Sequence, residues 1–334
     1  MNYELIILEK RTGKAWDAAP QVQTATYTTN RTGSPGMLKF TINASGGVSF
    51  VEGDPVRFSV DGQLIFLGWV FTKSRDRYAV IEVTCYDQLR YLKASASYCF
   101  TGRTAGEIIT EIGRGGNNSA DLGGVFQLTA GRLDDTGYPI PTLIMEEKTC
   151  LDIISTALQR TLLATGTLYT FFDDGGALSL REAGSMTAEG VVGNCSLLTD
   201  YSYKTDIDQQ TYNSIKLSRP NETTGRADVF QVMDSGNIGK WGLLQLYQTV
   251  DGAMNDAQVE SQARAMLKYH NRRFRTLKVQ ALGLLGIRAG QMLMMDIDNL
   301  GDINLHGLVL LERVSHTFKN DLHTMDFDVQ ELGV

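Results

Sequence analysis

Proline, cysteine and histidine are all scarce in this chain, no apolar run is long, and positive charge is in deficit. The 334 residues include 6 prolines, 4 cysteines, 4 histidines and 3 tryptophans, with a formal charge of −7. Cys85, Cys99, Cys150 and Cys195 form no CxxC pair and no Cys/His cluster, which excludes a disulfide framework and a zinc knuckle. They read as reduced, mostly buried thiols of a protein made in the cytosol. His270, His306, His316 and His323 have no HExxH or comparable ligand spacing, so no metal and no cofactor is expected. Surface or strand-end positions are their default, and His316 and His323 should approach each other across a turn at Lys319-Asn-Asp321. No apolar segment reaches bilayer-spanning length, and Met1-Asn-Tyr-Glu-Leu-Ile-Ile-Leu lacks the basic start and cleavage site of a secretory signal. The acidic balance argues against nucleic-acid binding, which depends on clustered Lys and Arg.

What the chain does contain is β-pattern, twice. Gly53-Asp-Pro-Val-Arg-Phe58 leads to Gly68-Trp-Val-Phe-Thr72 and then to Tyr78-Ala-Val-Ile-Glu-Val-Thr-Cys-Tyr86. Near the other end, Gly290-Gln-Met-Leu-Met-Met295 leads to Gly307-Leu-Val-Leu-Leu311 and then to Thr324-Met-Asp-Phe-Asp-Val329. Each piece alternates apolar with polar residues, as a sheet with one buried face requires. An opening hairpin is expected in each copy: Ala25–Thr29 with Leu38–Ile42, and Tyr201–Lys204 with Asn213–Leu217. A chain this long exceeds one ordinary domain. The expected fold is mainly β with α+β insertions: two tube-like β-barrel domains, a small α/β domain and a helical insert. The boundaries fall at 1–95 for the first barrel, 96–190 for the α/β domain and 191–334 for the second barrel, split by an insert at about 220–275.

Between the copies the periodicity changes. Thr104-Ala-Gly-Glu107 has capping-box spacing and predicts a short helix from Ala105, ending at Gly113-Arg-Gly-Gly116. Residues 117–141, rich in Gly, Asp, Thr and Pro, predict a loop with little regular structure. A second helix should follow an N-cap at Thr149, bury Leu151, Ile154, Leu158 and Leu162, and stop at Gly166. Asp173-Asp-Gly-Gly176 between two alternating runs predicts a hairpin. In the insert, Asn255 and Gln258 should cap a long helix with Val259, Ala263, Met266 and Leu267 as its apolar stripe. Met233–Gly242 is too glycine-rich to predict a regular element.

The chemistry-bearing patterns point away from catalysis. Gly113–Gly116 follows a helix, whereas a phosphate loop leads into one. Asp296-Ile-Asp-Asn-Leu-Gly301 begins like a calcium loop, but Leu300 stands where an oxygen ligand is needed and Gly307 where the bidentate glutamate belongs. The acid pairs Asp134-Asp135, Glu146-Glu147 and Asp173-Asp174 sit in turns or at a helix entrance, where solvated acid is common. Glycoside hydrolysis needs carboxyls that face each other across a bond, which adjacency does not supply. The basic run Lys268, Arg272, Arg273, Arg275 and Lys278 complements a helix C-terminus, and its sharper reading is a contact with an acidic neighbour in an assembly. Trp69 and Trp241 are interface candidates with Arg272 and Arg273, because tryptophan and arginine are enriched at hot spots; a half-buried core tryptophan is the ordinary alternative.

The stretch Met145-Glu-Glu-Lys-Thr-Cys-Leu-Asp-Ile-Ile-Ser-Thr-Ala-Leu-Gln-Arg-Thr161, then Gly166-Thr-Leu-Tyr169 and Asp174-Gly-Gly-Ala-Leu-Ser-Leu-Arg-Glu182, resembles the XkdQ/YqbQ family of PBSX-like prophages. Ser235-Gly-Asn-Ile-Gly-Lys-Trp-Gly242, the helix after Asp256 and the Gly290 strands are similar to the same family. The resemblance implies a non-enzymatic baseplate hub of a contractile phage tail or a bacteriocin-like particle, located in the virion or particle tail. Three chains with two tube-like barrels each would form a homotrimeric ring joining the six-fold tail tube to a three-fold spike or puncturing protein, with tape-measure and other baseplate proteins as further partners. That the chain ends at Val334 without a long extension fits a hub rather than a longer tail-tip protein. A peptidoglycan hydrolase, needing a cleft with facing carboxylates, and a monomeric glycan-binding β module are the readings from other classes.

Overall fold

A computed structural model describes residues 1–43, 47–113, 128–208, 210–221, 225–250, 252 and 254–330. The chain divides into two compact units, Met1–Ser202 with Lys278–Gln330, and Tyr203–Leu277.

The first unit opens with seven strands: β1 (Tyr3–Glu9), β2 (Lys14–Asp17), β3 (Val22–Asn30), β4 (Met37–Asn43), β5 (Pro55–Val60), β6 (Gln63–Arg75) and β7 (Val80–Tyr86). Their alternation sets the core: Leu38, Phe40 and Ile42 of β4 are buried together with Phe58, Phe66, Val83 and Cys85, while Lys39 points outward. Burying such side chains contributes roughly 1.5–3 kcal/mol each, so the period-2 pattern fixes which face turns inward.

An α/β segment follows. Antiparallel β8 (Ser95–Arg103) and β10 (Ile140–Thr149), helices α1 (Ala105–Gly113) and α2 (Cys150–Thr165), and β9 (Ala130–Leu133), β11 (Tyr169–Asp173) and β12 (Leu178–Glu182) share a core of Ile108, Ile109, Ile112, Ile153, Ile154 and Leu180. The caps are those the sequence predicts. Glu107 N–H donates to Thr104 Oγ1 at 3.3 Å while Thr104 N–H donates to Glu107 Oε2 at 2.9 Å. Thr149 Oγ1 accepts from Asp152 N–H at 3.1 Å, and Gly166 ends α2 at φ 74°. The hairpin β11–β12 forms, with Gly176 N–H donating to Asp173 Oδ1 at 2.8 Å. One expectation needs correction. β9 lies inside the stretch read as irregular loop, because parallel pairing with β12 supplies its order from a distance in sequence. Residues 114–127, including Arg114–Gly116 and the first part of that expected loop, are outside the described residues.

Strands β13 (Thr187–Gly193), β14 (Leu198–Asp206), β18 (Phe274–Leu282), β19 (Met292–Ile297), β20 (Leu305–Lys319) and β21 (Leu322–Gln330) complete the main sheet, with β15 (Ser214–Asn221), β16 (Arg226–Met233) and β17 (Gln245–Thr249) lying in the second unit. Thirteen strands are joined in the order β14-β18-β21-β20-β3-β4-β7-β6-β5-β1-β2, with β19 on β20 and β13 on β19. The mainly β architecture with helical insertions is therefore present. Among the described residues the strand order is open at β14, β13 and β2.

The order contains a repetition. Reading β3-β4-β7-β6-β5 beside β14-β18-β21-β20-β19 gives the same five-strand path twice. The registers agree as well. Val70, Lys73 and Arg75 of β6 oppose Cys85, Val83 and Ile81, with a bulge between Val70 and Thr72. Leu311, Val314 and His316 of β20 oppose Val329, Phe327 and Met325, with a bulge between Leu311 and Arg313. Gly53 N–H donates to Val70 O at 2.8 Å and Gly290 N–H to Leu311 O at 2.7 Å, each glycine at φ 88°. A β-carbon is disfavoured at that angle, which is why both strands open on glycine. The second glycines do not correspond. Gly68 lies opposite Val56 and Gly307 opposite Met295, two residues apart in the shared register.

The expected second opening hairpin also needs correction, since β14 pairs with β18. The Asn213–Leu217 stretch belongs to β15 (Ser214–Asn221), which lies between antiparallel β16 (Arg226–Met233) and parallel β17 (Gln245–Thr249) in the second unit. Alternation alone does not say which strand a strand will meet. Helix α4 (Asp256–His270) covers this sheet through Val259 and Ala263, against Ile215 and Leu217, and the Asn255/Gln258 capping box is complete with both bonds at 2.9 Å. A second correction falls here: α3 (Ser235–Trp241) is a regular helix despite its glycines. Asp234 caps it by accepting from Asn237 N–H at 3.0 Å, and Asn271 Nδ2 donates to the same carboxylate at 2.7 Å. No helix among the described residues is long and apolar enough to cross a membrane.

Candidate functional site: strand junctions and a buried polar cluster

The two halves of the main sheet meet where β20 pairs antiparallel with β3, from Arg313 opposite Asn30 to Phe318 opposite Ala25. Buried hydroxyls of Thr28 and Ser315 lie 2.9 Å apart across this seam. At its end Arg31 N–H donates to Glu312 O at 2.9 Å, and Arg31 Nε reaches both carboxylate oxygens of Glu312 at 2.9 Å. Glu312 is the bulge residue of β20, and the bulge aims its side chain at the partner strand. The seam therefore combines a backbone ladder, a buried hydroxyl pair and one forked ion pair.

Beside the seam is a cavity of about 350 Å³ bordered by Tyr27, Asp87, Asp173, Arg288, His316 and Phe318. Asp87 accepts from Gly36 N–H at 2.8 Å and Leu89 N–H at 3.0 Å, and a β-carbon on Gly36 would stand 2.5 Å from Asp87 Oδ2. Asp173 accepts from Gly176 N–H and from the Gln88 side chain, while Arg288 donates to Asp173 O at 2.8 Å and lies 3.7 Å over the Phe172 ring. Burial, and for Asp87 also the neighbouring Asp173, pushes both carboxyls above the ordinary range. Asp173, read from sequence as a solvated turn acid, is 4% exposed. These acids tie down turns and a 3-10 segment; backbone and amide donors occupy them where a hydrolase would leave oxygens facing a substrate.

His316 and His323 do meet, with His316 Nδ1 2.9 Å from His323 Nε2, but both are buried rather than at the surface. His316 Nε2 lies 2.7 Å from Ile287 O, so it carries the proton and donates there. Its Nδ1 then accepts from His323 Nε2–H, which assigns both tautomers. Burial holds His316 below its ordinary pKa, and burial with the neighbouring His316 pushes His323 down to about 4. Gly283 makes room for the pair: a β-carbon there would stand 2.1 Å from the His323 ring.

Of the sequence-predicted interface residues, Trp69 belongs to the first unit and Trp241, Arg272 and Arg273 to the second. Trp69 is half-buried on β6 and meets Tyr91 edge to face at 5.3 Å, whereas half-buried Trp241 ends α3 in the second unit. Arg272 lies 4.7 Å over the Tyr269 ring and 5.0 Å over Phe274, while Arg273 is exposed. Among the described residues no three His, Cys, Asp or Glu side chains come together as a metal site would need. In the calcium-like loop Asp296 is 2.6 Å from His306 Nδ1. None of the four cysteines is in a disulfide; Cys85 and Cys150 are buried as expected, but Cys99 and Cys195 are exposed, so the thiols are not mostly buried. Sequence reasoning missed the seam because its signal is a pairing of residues 281–293 positions apart.

A family model described as YQBQ-like matches residues 25–330. The chain belongs to the YqbQ-like family. It is 30% identical to YqbQ of Bacillus subtilis over 85% of this chain and 82% of that protein. It is 29% identical to the phage-like element PBSX protein XkdQ of the same organism, over 85% and 83% of the two chains. The crystal structure of a tail protein from Neisseria meningitidis MC58 superimposes with a TM-score of 0.70 at 14% identity, over 100% of this chain and 98% of that one. The fold is therefore shared with that tail protein.

Proposed function

We propose that this YqbQ-like chain is a structural, non-enzymatic hub of a phage-tail baseplate, and that three copies form a ring adapting a six-fold tail tube to a three-fold spike. The observation that carries the reading is the duplicated five-strand path with its shared register and bulge. A chain holding two equivalent sheet modules presents six such modules when three copies close into a ring, and closed rings are built from repeated head-to-tail interfaces. The names of the relatives, a PBSX phage-like element protein and a tail protein, agree with a place in a tail particle. Closure of each half into a tube-like barrel, division near residues 95 and 190, and contacts through Trp69, Trp241, Arg272 and Arg273 are parts of the same proposal. So are the tube, spike and tape-measure proteins as partners. No nucleic acid is required, and the buried carboxylates, already satisfied by donors, give a hydrolase nothing to work with. Native mass spectrometry of the concentrated chain tests the ring. A species of three times 36.8 kDa is expected, and a chain that stays single at every concentration contradicts it.

A further inference from the structure

The duplication has one mismatch, and it lies at the strand edges. In the second half, β20 from Arg313 to Phe318 is paired on both sides, by β21 and by β3. The equivalent stretch of β6, Thr72 to Arg75, pairs with β7 alone among the described residues, because β5 leaves β6 at Trp69. Conversely, β3 is paired on both sides, by β20 and β4, whereas its equivalent β14 pairs, among the described residues, with β18 alone. Burial follows the same division. Val314, Ser315 and His316 are buried and Thr72 through Arg75 exposed; Tyr27, Thr28 and Thr29 are buried, but Thr199 through Ser202 of β14 are exposed. Each strand that meets a partner strand inside the chain thus has a duplicate whose matching edge meets no strand among the described residues; on β14 the Tyr201 N–H donates to the adjoining Asp200 carboxylate at 2.8 Å.

We propose that these two strand-free edges are one interface: β6 of one copy pairs antiparallel with β14 of the next, repeating between chains the β20–β3 seam inside the chain. The proposal rests on the ring reading and names the strands that build the ring. Unpaired N–H and C=O groups on an edge are a template for another strand, and here the template and its complement are on opposite ends of one duplicated path. Charge agrees with this. Residues 72–77 carry Lys73, Arg75, Asp76 and Arg77, a net +2, and residues 198–208 carry Asp200, Lys204, Asp206 and Asp208, a net −2. Such an edge also blocks pairing of β6 with another β6, because like charges would face each other. Since β6 and β14 are different surfaces, the contact is head-to-tail and each copy leaves both ends for neighbours until the ring closes. Ser74 takes the place of Ser315, so a hydroxyl again stands inside the seam.

Hydrogen–deuterium exchange on the whole chain, run at dilute and concentrated conditions beside native mass spectrometry, tests this. Amides of residues 72–75 and 199–202 should slow by about 100-fold as the trimer forms, with little change at the already paired β20 and β3. Proline at adjacent edge positions, S74P and R75P in β6 or Y201P and S202P in β14, provides the second readout. Of each neighbouring pair, one directs its N–H outward. That variant should keep the exchange pattern of the folded monomer yet no longer form the trimer. A trimer whose β6 and β14 amides stay unprotected overturns the strand assignment and leaves the ring intact. A chain that never trimerises overturns the ring reading, and the pairing with it.

Discussion

The β3–β7 half and the β14–β21 half of the main sheet agree in backbone and differ in nearly everything attached to it. Gly53 and Gly290 make the same bond at the same φ, and the bulge falls one residue after Val70 and after Leu311. Yet Phe71 occupies one bulge and Glu312 the other, and the outermost partner of β5 is antiparallel β1 while that of β19 is parallel β13. The first two strands are joined by residues 31–36 in one half and by the whole of residues 207–273 in the other. Register and hydrogen-bond geometry are what the duplicated architecture holds fixed. Connections and outer strands are free to diverge, because a surface connection adds little loop-closure cost as it lengthens.

The largest difference between the halves is expected at their second glycines. A β-carbon on Gly68 would stand 2.3 Å from Tyr86 O, whereas Gly307 has open space within 4 Å. G68A should therefore cost about 3 kcal/mol, and G307A should be neutral or stabilising by up to ~1 kcal/mol. Equal effects in urea denaturation would mean that the register is not as described. The seam ranks next. Removing the forked partner with E312A should cost about 1–2 kcal/mol, because Arg31 is then left partly buried without its acceptor. E312F, which copies the bulge residue of the first half, should do no better, and a double-mutant cycle with R31A should recover most of the loss as coupling.

The buried histidines belong to the second half alone, Arg75 standing where His316 does. His323, held near 4, stays neutral in the folded chain at pH values where the unfolded chain, with an ordinary pKa of about 6.5, takes up a proton. The unfolded state thus binds more protons, and stability should fall as pH drops from about 6.5 toward 4, by at most about 1.4 kcal/mol per unit for this histidine. Asp87 and Asp173 act in the opposite sense: their raised pKa values favour the folded state at lower pH, and that contribution fades as pH rises. H323Q should therefore flatten the acid limb seen by chemical denaturation, and an unchanged slope would place the effect elsewhere. The smallest effect is local. N255A removes one member of the α4 capping box and should cost about 1 kcal/mol, with faster amide exchange confined to the first turn of α4.

Much of this was legible in the sequence. Caps at Thr104, Thr149 and Asn255, the stop at Gly166 and the Asp173–Gly176 turn are local signals with local causes, and each appears where it was read. The duplicated order was visible because alternation survives divergence. The second opening hairpin was misread because β15 alternates like any strand, and its true neighbours depend on an insertion that no periodicity marks. α3 was missed because its stability rests on the Asp234 cap and Asn271, beyond what its glycines suggest. The seam, the Asp87 and Asp173 cluster and the burial of His316 and His323 were hidden for one reason: each joins residues from separate turns or strands, and composition carries no trace of which turns meet.

The most direct test of the account is cryo-electron microscopy of the concentrated chain, classified without imposed symmetry. The account predicts a three-fold ring of six similar β-lobes around a channel, with internal β20–β3 seams alternating with β6–β14 seams between chains. A closed assembly in which the two halves occupy unlike positions, or a single chain at every concentration, would contradict it.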